Sequence, residues 1–161
     1  MIGVLRRQFF QQSYLGKSCQ DYQNFRISLR ELSKVFNMSQ VLLDFIPTVD
    51  IDKEGRFKYV LIKVYAKELP DGTEPSKLVV RGNVDAQWHA DIYEQFTDML
   101  KALKLDAECL GGGRIEHYPD VKKIKVYGYS QGYGKADHAE TKRLLLSKYS
   151  NYDVEISDEG Y

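Results

Sequence analysis

Hydrophobic residues follow strand-like runs in the middle of the chain and helix-like spacings further on. Residues 57–65 are rich in β-branched and aromatic side chains and partly alternate, so they are a predicted strand, and 77–82 is a second, shorter one. Between about 90 and 104, apolar residues recur at three- and four-residue spacing, which predicts an amphipathic helix. The other predicted elements are an extended lead-in at 44–55, strands at 106–110, 114–117, 122–127 and 154–156, and a helix at 137–148.

Glycine and proline mark where these elements should end. Gly111-Gly112-Gly113 is expected to close the strand 106–110, and Tyr118-Pro119-Asp120 is expected to turn a β-hairpin. The order of strands, helix, strands, helix and strand predicts one α/β (α+β) domain, in which two main helices pack on a mixed β-sheet.

A chain of 161 residues suffices for one such domain, and the composition changes near Met38. Residues 1–37 carry 6 basic and 2 acidic side chains, whereas the remaining residues carry 17 and 21. We therefore predict an N-terminal extension at 1–43, disordered or partly helical, and a folded domain at 44–161. Because this domain is mildly acidic, a phosphate-binding site in it must be a local cluster of donors.

Charge and cysteine content limit the partners and the compartment. Lys plus Arg and Asp plus Glu both number 23, so the chain is not a bulk binder of nucleic acid. No apolar run approaches the ~20 residues that cross a bilayer, so no membrane contact is predicted. The two cysteines, Cys19 and Cys109, form no CxxC pair, which favours free thiols in a reducing compartment. We expect a cytosolic monomer, with a mitochondrial presequence within 1–37 as the lesser alternative.

Among the three histidines, His89 is the first candidate for chemistry, because the predicted helix begins beside it. The free N–H groups and the positive dipole end of a helix start favour neutral imidazole and a nearby anion. Neutral imidazole is the form that a general base or a nucleophile needs. The alternative is a histidine that only caps or packs the helix start.

The glycine-rich segment 128–134 is the second candidate. Its three glycines let several backbone N–H groups turn towards one anion, and Ser130 adds a hydroxyl donor. The segment is one residue too long for the GxxxxGK motif, and Ala136 stands where that motif needs Ser or Thr. A plain connection between a strand and a helix is the alternative.

Three cations in or next to predicted strands are candidates for phosphate binding. Lys58 lies within the strand-like run, and Arg81 and Arg114 each neighbour a glycine. If they converge, they would hold the oxygens of one anion. If they do not, they are solvated surface residues, as most strand cations are.

Other chemistries fit the sequence less well. Cys109 and Arg114 are separated by four residues, one fewer than in the Cys-x5-Arg loop of cysteine phosphatases, and a strand is predicted after them. The histidines are too widely spaced for a metal-ligand motif, and no GxSxG marks a serine hydrolase. No metal and no other cofactor is therefore expected.

Several segments together resemble the phosphohistidine phosphatase family, which includes the sex-regulated janus proteins of flies. They occur in the family's order, and the likeness covers about residues 45–161. Residues 1–37 lie outside it, because shorter family members begin near the equivalent of Met38, a candidate second start of translation. The segments are Phe57-Lys58-Tyr59-Val60-Leu61-Ile62, Val80-Arg81-Gly82, Trp88-His89-Ala90-Asp91-Ile92-Tyr93, Glu108-Cys109-Leu110-Gly111-Gly112-Gly113-Arg114-Ile115, Val126-Tyr127-Gly128-Tyr129-Ser130 and Asp158-Glu159-Gly160-Tyr161.

The resemblance implies metal-independent hydrolysis of phosphohistidine on proteins, with His89 as the catalytic proton acceptor. It suggests a part in somatic sex differentiation. Position 132 varies to alanine in related sequences, which fits a contact through the backbone rather than the side chain. The phosphate-binding residues implied are Lys58 and the backbone of Ser130, Gln131 and Gly132, with Arg114, Arg81 and His138 near the same pocket.

The residues leave three points open: the role of His89, hydrolysis or binding alone, and the range of substrates. His89 either activates water or attacks phosphorus and becomes phosphorylated itself. The same pocket would also suit a regulatory module that binds a phosphorylated ligand without hydrolysing it. Phospholysine, which also has a nitrogen–phosphorus bond, is a further substrate that the chemistry allows.

Overall fold

The computed structural model describes residues 38–69 and 71–158 of the chain. Within them lies a six-stranded mixed β-sheet with helices packed on it, which confirms the predicted α+β class. No helix in this part of the chain is both long and apolar enough to cross a bilayer. The elements are helix α1 (residues 38–45), α2 (His89–Leu103) and α3 (His138–Lys148), a 3₁₀ turn at Pro119–Val121, and strands β1 (Val49–Ile51), β2 (Gly55–Tyr65), β3 (Ser76–Asn83), β4 (Asp106–Tyr118), β5 (Lys123–Tyr127) and β6 (Asp153–Ile156).

The two longest strands lie next to each other at the centre of the sheet. The strand order is β1-β3-β2-β4-β5-β6. β1 is parallel to β3 and β5 is parallel to β6, while the other neighbours are antiparallel. The predicted hairpin is confirmed, since β4 and β5 are antiparallel neighbours joined by the 3₁₀ turn.

Each face of the sheet carries its own apolar cluster, because β2 is buried on both sides. Tyr59 and Leu61 belong to one cluster, together with Leu145 of α3. Val60 belongs to the other, together with Phe96 of α2. The two main helices therefore cover opposite faces, and a strand buried on both faces explains the nearly continuous apolar run that the sequence shows.

β4 runs through the three consecutive glycines, so the prediction that Gly111-Gly112-Gly113 ends a strand is wrong. Leu61 of β2 pairs with Gly111, but Ile62 pairs with Cys109, which makes Leu110 the extra residue of a β-bulge. Gly111 has a φ of +139°, a conformation that other residues rarely adopt. The glycines therefore continue the strand past a bulge instead of closing it.

The segment before β2 differs from the extended lead-in predicted at 44–55. Helix α1 continues to residue 45, and the only extended part that precedes β2 in the described chain is β1. Leu43 and Ile46 are each 1% exposed and pack in the cluster under α2. The boundary between 43 and 44 stays a prediction. The predictions for residues 1–37, with Cys19 and the presequence, and the family-like end at 159–161 lie outside the described residues.

Candidate active site

His89 is the first residue of α2, as the sequence predicts. Trp88, which precedes it, has extended backbone with φ −128° and ψ 155°. The Trp88 N–H donates to Asp91 Oδ2 at 2.7 Å, and the Asp91 N–H donates to Trp88 O at 3.2 Å. These two bonds fix the helix start, so the local sequence alone determines where the His89 backbone lies.

The His89 imidazole is held in one neutral tautomer. It is 8% exposed, and its Nε2 lies 2.9 Å from Gly113 O. Since a carbonyl only accepts, Nε2 carries the proton and donates it, which leaves the lone pair on Nδ1. Burial lowers the pKa of His89; the bond to Gly113 opposes this, and the cations Lys58 and Arg114 lower the pKa further. The ring is therefore a base that stays neutral below its usual pKa.

Gly112 lets the His89 ring lie against the sheet. A Cβ atom at Gly112 would be 2.7 Å from His89 Cδ2, 2.8 Å from Tyr59 O and 3.1 Å from Ser130 Cβ. These distances are shorter than side-chain carbons tolerate, so glycine alone fits between the three groups. The close packing of His89 and Ser130 on β4 thus depends on the absence of a side chain at 112.

Lys58 and Arg114 lie directly opposite each other on β2 and β4. Like charges at opposed positions of antiparallel strands repel each other and destabilise the sheet by roughly 0.2–1 kcal/mol. An anion bound between the two would reverse the sign of this contribution. The register of β2 and β4 therefore brings two positive charges to one place on the sheet.

The loop 128–134 is pinned to β4 through one carbonyl group. Gly134 O accepts hydrogen bonds from the N–H groups of both Gly112 and Ser130, each at 3.0 Å. Ser130 O in turn accepts from the Gly134 N–H at 2.9 Å, and Ser130 Oγ accepts from the Tyr133 N–H at 3.2 Å. The Ser130 amide is thus already engaged within the loop. The sequence-based expectation that all three amides at 130–132 face a ligand needs this correction, and the Ser130 hydroxyl is the group left to donate.

The next two amides of the loop belong to Gln131 and Gly132. Among the residues that the structure describes, none accepts a hydrogen bond from the N–H of Gln131 or Gly132. Both residues line a cleft of about 710 Å³. Six of the eight residues predicted for the site meet there. The cleft is lined by Lys58, Trp88, His89, Ala90, Arg114, Ser130, Gln131, Gly132 and Tyr133.

Arg81, which the resemblance places near the same pocket, lines a different cavity of about 400 Å³. Its side chain is 6% exposed, and its guanidinium donates to Val80 O and Pro47 O, each at 2.8 Å. The group also stacks over the Phe96 ring at 4.3 Å from the centroid. Burial lowers the pKa of Arg81 to about 10, against the opposing charge of Asp50. Arg81 is thus bound to the backbone of its own fold and does not reach the cleft.

Arg81→Ala is therefore expected to lower the free energy of unfolding more than the activity per folded molecule. The substitution leaves buried carbonyl groups without partners, which costs about 1–3 kcal/mol in the free energy of unfolding. Urea denaturation followed by circular dichroism measures this loss, and phosphate release from a phosphohistidine peptide, per folded molecule, measures the activity that the family resemblance implies. A variant with unchanged stability and lost turnover would show that Arg81 touches the substrate after all.

His138, the other predicted pocket residue, lies on the face of the sheet that α3 covers. It is 4% exposed, its Nδ1 accepts from the Tyr59 hydroxyl at 2.7 Å, and its Nε2–H donates to Gly128 O at 3.0 Å. Burial lowers the pKa of His138, which favours this neutral form. The residue is absent from the cleft wall, and its bond to Gly128 O holds the start of the loop 128–134.

Three residues of the cleft were not singled out by the sequence analysis, namely Trp88, Ala90 and Tyr133. Two signals were available. Trp88 is the one tryptophan of the chain and is adjacent to His89, and Tyr133 stands between two glycines of the candidate loop. Both signals place a large aromatic side chain next to a candidate site residue.

Cys109 and His117 lie outside the cleft. Cys109 is a free cysteine within β4, and burial raises the pKa of its thiol, which is the opposite of what a nucleophile needs. His117 donates from Nδ1 to Asp52 O at 2.9 Å and packs against Tyr149 and Tyr152. In the described part of the chain, no group of three or more His, Cys, Asp or Glu side chains is placed to hold a metal ion.

Comparison with known proteins gives a consistent set of relatives. Residues 43–153 match the Janus/Ocnus family, and this range includes every residue of the cleft. The chain is 64% identical over 138 residues to the sex-regulated protein janus-A of Drosophila pseudoobscura pseudoobscura, covering 86% of this chain and 91% of that protein. It is 55% identical over 130 residues to janus-A of Drosophila melanogaster, with 81% and 93% covered. It is 49% identical over 118 residues to a 14 kDa phosphohistidine phosphatase of Sus scrofa, with 72% and 93% covered.

Proposed function

Since the chain belongs to the Janus/Ocnus family, we propose that it is a protein histidine phosphatase that hydrolyses phosphohistidine on protein substrates without a metal ion. One relative, 49% identical, is named a phosphohistidine phosphatase. The observation that supports the proposal most is that His89, Lys58 and Arg114 line one cleft together with two unoccupied backbone amides. A base, cations and amide donors are the groups that phosphoryl transfer requires.

The phosphoryl group is held, in this proposal, by donors from two separate parts of the fold. Lys58 and Arg114 supply positive charge from neighbouring strands. The N–H groups of Gln131 and Gly132, with the Ser130 hydroxyl, supply directed hydrogen bonds from the loop. Because these donors are fixed before the substrate binds, they stabilise the charge that spreads over the phosphoryl oxygens in a loose transition state. Arg81 and His138 receive no direct contact with phosphate.

His89 acts through Nδ1, the nitrogen that carries the lone pair. In one route, Nδ1 takes a proton from water, the water oxygen bonds to phosphorus, and the bond from phosphorus to the substrate imidazole breaks. In the other route, Nδ1 itself bonds to phosphorus, and water later hydrolyses the phosphorylated His89. In the first route His89 gives the proton that it took to the leaving imidazole nitrogen of the substrate. In the second route that nitrogen takes its proton from water, the water oxygen ends on phosphorus, and His89 regains its Nδ1 lone pair. Each route consumes one water and releases inorganic phosphate. Acid-labile phosphate trapped on His89 would select the second route.

A metal ion is not needed for the chemistry proposed, because the nitrogen–phosphorus bond is labile and the cleft already supplies positive charge. We therefore expect the purified full-length chain to release phosphate from a chemically phosphorylated histidine peptide in excess chelator. Activity that disappears in chelator and returns with added metal would contradict this expectation. Tight binding of the peptide without any release would favour the regulatory module that binds phosphate and does not hydrolyse it.

Two lysines of β2 provide a matched control for this assay. Lys58 lies in the cleft, whereas Lys63 lies further along the same strand with its Nζ 4.8 Å from the centroid of the Tyr65 ring. A hydrogen bond to a charged group contributes about 1.5–3 kcal/mol, so Lys58→Ala should lower kcat/KM by about 10–100-fold. Lys63→Ala should leave it unchanged. Equal losses in both variants would remove Lys58 from the phosphate site.

The proposed activity also implies partners and a physiological setting. Proteins that carry phosphohistidine are the partners that the proposed activity implies. The relatives in Drosophila are named sex-regulated proteins, which supports the suggested part in somatic sex differentiation. The cytosolic location and the monomeric state stay predictions from the sequence.

A further inference from the structure

The cleft is larger than a phosphoryl group requires. Its volume of about 710 Å³ lies in the range of sites for whole small ligands. The groups proposed to act on phosphate account for six of its nine lining residues, and the other three are Trp88, Ala90 and Tyr133. The group that carries the phosphate must therefore lie against these less polar residues.

Trp88 is an exposed indole on a fixed backbone. The residue is 62% exposed. Its backbone N–H and its backbone carbonyl are both hydrogen-bonded to Asp91, so the backbone is held in place. Large exposed aromatic side chains beside polar groups are typical of ligand sites, because they offer apolar area at low conformational cost. Trp88 directly precedes His89 in the chain, and both residues line the cleft.

Tyr133 is the second aromatic residue that lines the cleft, and Tyr93 packs against its ring. Its ring meets the Tyr93 ring edge to face, with centroids 5.6 Å apart and planes at 63°. The Tyr93 hydroxyl donates to Ala107 O at 2.7 Å, which fixes the supporting ring on β4. The Tyr133 N–H donates to Ser130 Oγ, so the same loop that offers the free amides also positions this ring.

We propose that Trp88 and Tyr133 recognise the flat ring that carries the phosphate, and that they make the cleft selective for phosphohistidine over aliphatic phosphoramidates such as phospholysine. The inference rests on the proposed phosphatase function and adds the residues that determine its substrate class. An imidazole ring offers a π-face to an aromatic wall, whereas the lysine side chain offers only methylene groups. Neither residue takes part in proton transfer.

The experiment compares three substrates with a nitrogen–phosphorus bond. Phosphoramidate has neither a peptide nor a ring, a phospholysine peptide adds the peptide, and a phosphohistidine peptide of otherwise the same sequence adds the ring. For Trp88→Ala we expect the ratio of kcat/KM for phosphohistidine to kcat/KM for phosphoramidate to fall about 2–10-fold, mainly through KM, as one aromatic contact predicts. Trp88→Phe should restore most of the ratio, because it restores a ring. Tyr118→Ala, which removes a 47% exposed aromatic outside the cleft, should leave the ratio unchanged.

The outcome that overturns the inference is an equal fall for all three substrates, since this would show a structural role for Trp88. Absence of turnover of the phosphohistidine peptide by the unsubstituted protein would instead contradict the proposed function. In that case the fluorescence of Trp88, the single tryptophan, still tests whether the ring of the ligand binds against the indole. Titration of His89→Ala with the phosphohistidine peptide should change the emission more than the phospholysine peptide or inorganic phosphate does; equal changes would reject the ring site.

Discussion

Replacing His89 with alanine is expected to reduce phosphohistidine hydrolysis by about 10²–10⁴-fold, the usual contribution of a general base. The loss follows from removal of the Nδ1 lone pair, while the donors to phosphate stay in place. Phosphate release from a phosphohistidine peptide measures the effect, and circular dichroism verifies the fold. His89→Gln keeps an N–H that reaches towards Gly113 O and should be equally inactive. Retained turnover in either variant would take His89 out of the mechanism.

The pH dependence of the unsubstituted protein tests the same assignment. Only neutral His89 accepts a proton, and its pKa lies below the ordinary 6.5 because of burial, with Lys58 and Arg114 acting in the same direction. The neutral form therefore persists as the pH falls through 6.5, and kcat/KM should decline only at lower pH, after correction for spontaneous hydrolysis. Since the Lys58 charge is one cause of the lowered pKa, Lys58→Ala should raise the pKa of His89. The decline of kcat/KM on the acid side of the pH profile should then begin at higher pH. An unmoved decline would mean that another group titrates.

The second large effect is expected from Gly112→Ala, although alanine adds a single methyl group. The new carbon would meet Tyr59 O at 2.8 Å, in a central strand that cannot move freely, and His89 Cδ2 at 2.7 Å. Overpacking of this kind typically costs about 1–3 kcal/mol in stability. A displacement of the reacting group by about 1 Å costs about 10²-fold in rate. We therefore expect a lower free energy of unfolding, measured by urea denaturation, and a lower rate of phosphate release.

Gly132→Ala is the matched control for this experiment. A Cβ at Gly132 meets no atom within 4 Å, and the residue keeps its amide N–H. We expect stability and kcat/KM close to those of the unsubstituted protein. If Gly132→Ala proved as damaging as Gly112→Ala, contact with His89 would not be the reason that glycine occupies position 112.

Element positions were largely accessible from the sequence because they depend on local patterns. The apolar spacing between 90 and 104 gives α2 to within one residue at each end. The turn at Tyr118-Pro119-Asp120 gives the β4–β5 hairpin. Both signals are local, since helix periodicity and turn chemistry act over a few residues.

The three glycines show where local reasoning fails. Glycine weakens strands, so the sequence favours a break at Gly111-Gly112-Gly113. Pairing with β2 continues β4 through these positions. Glycine is needed there because His89 on one side and His138 on the other approach closely: a Cβ at Gly113 would lie 3.1 Å from His138 Cε1. Close approach by distant segments is a tertiary requirement, and propensity contains no information about it.

By itself the sequence determined the fold class, the start of α2 at His89, and the residue types available for a phosphate site. The tertiary structure alone decided which of them meet. Lys58 and Arg114 come together because β2 and β4 pair in one register, while Arg81 is directed to a neighbouring cavity and the Ser130 amide is consumed by Gly134 O. Periodicity tells which face of a strand a residue occupies, but the register between segments more than 50 residues apart is set by the packing of the whole sheet.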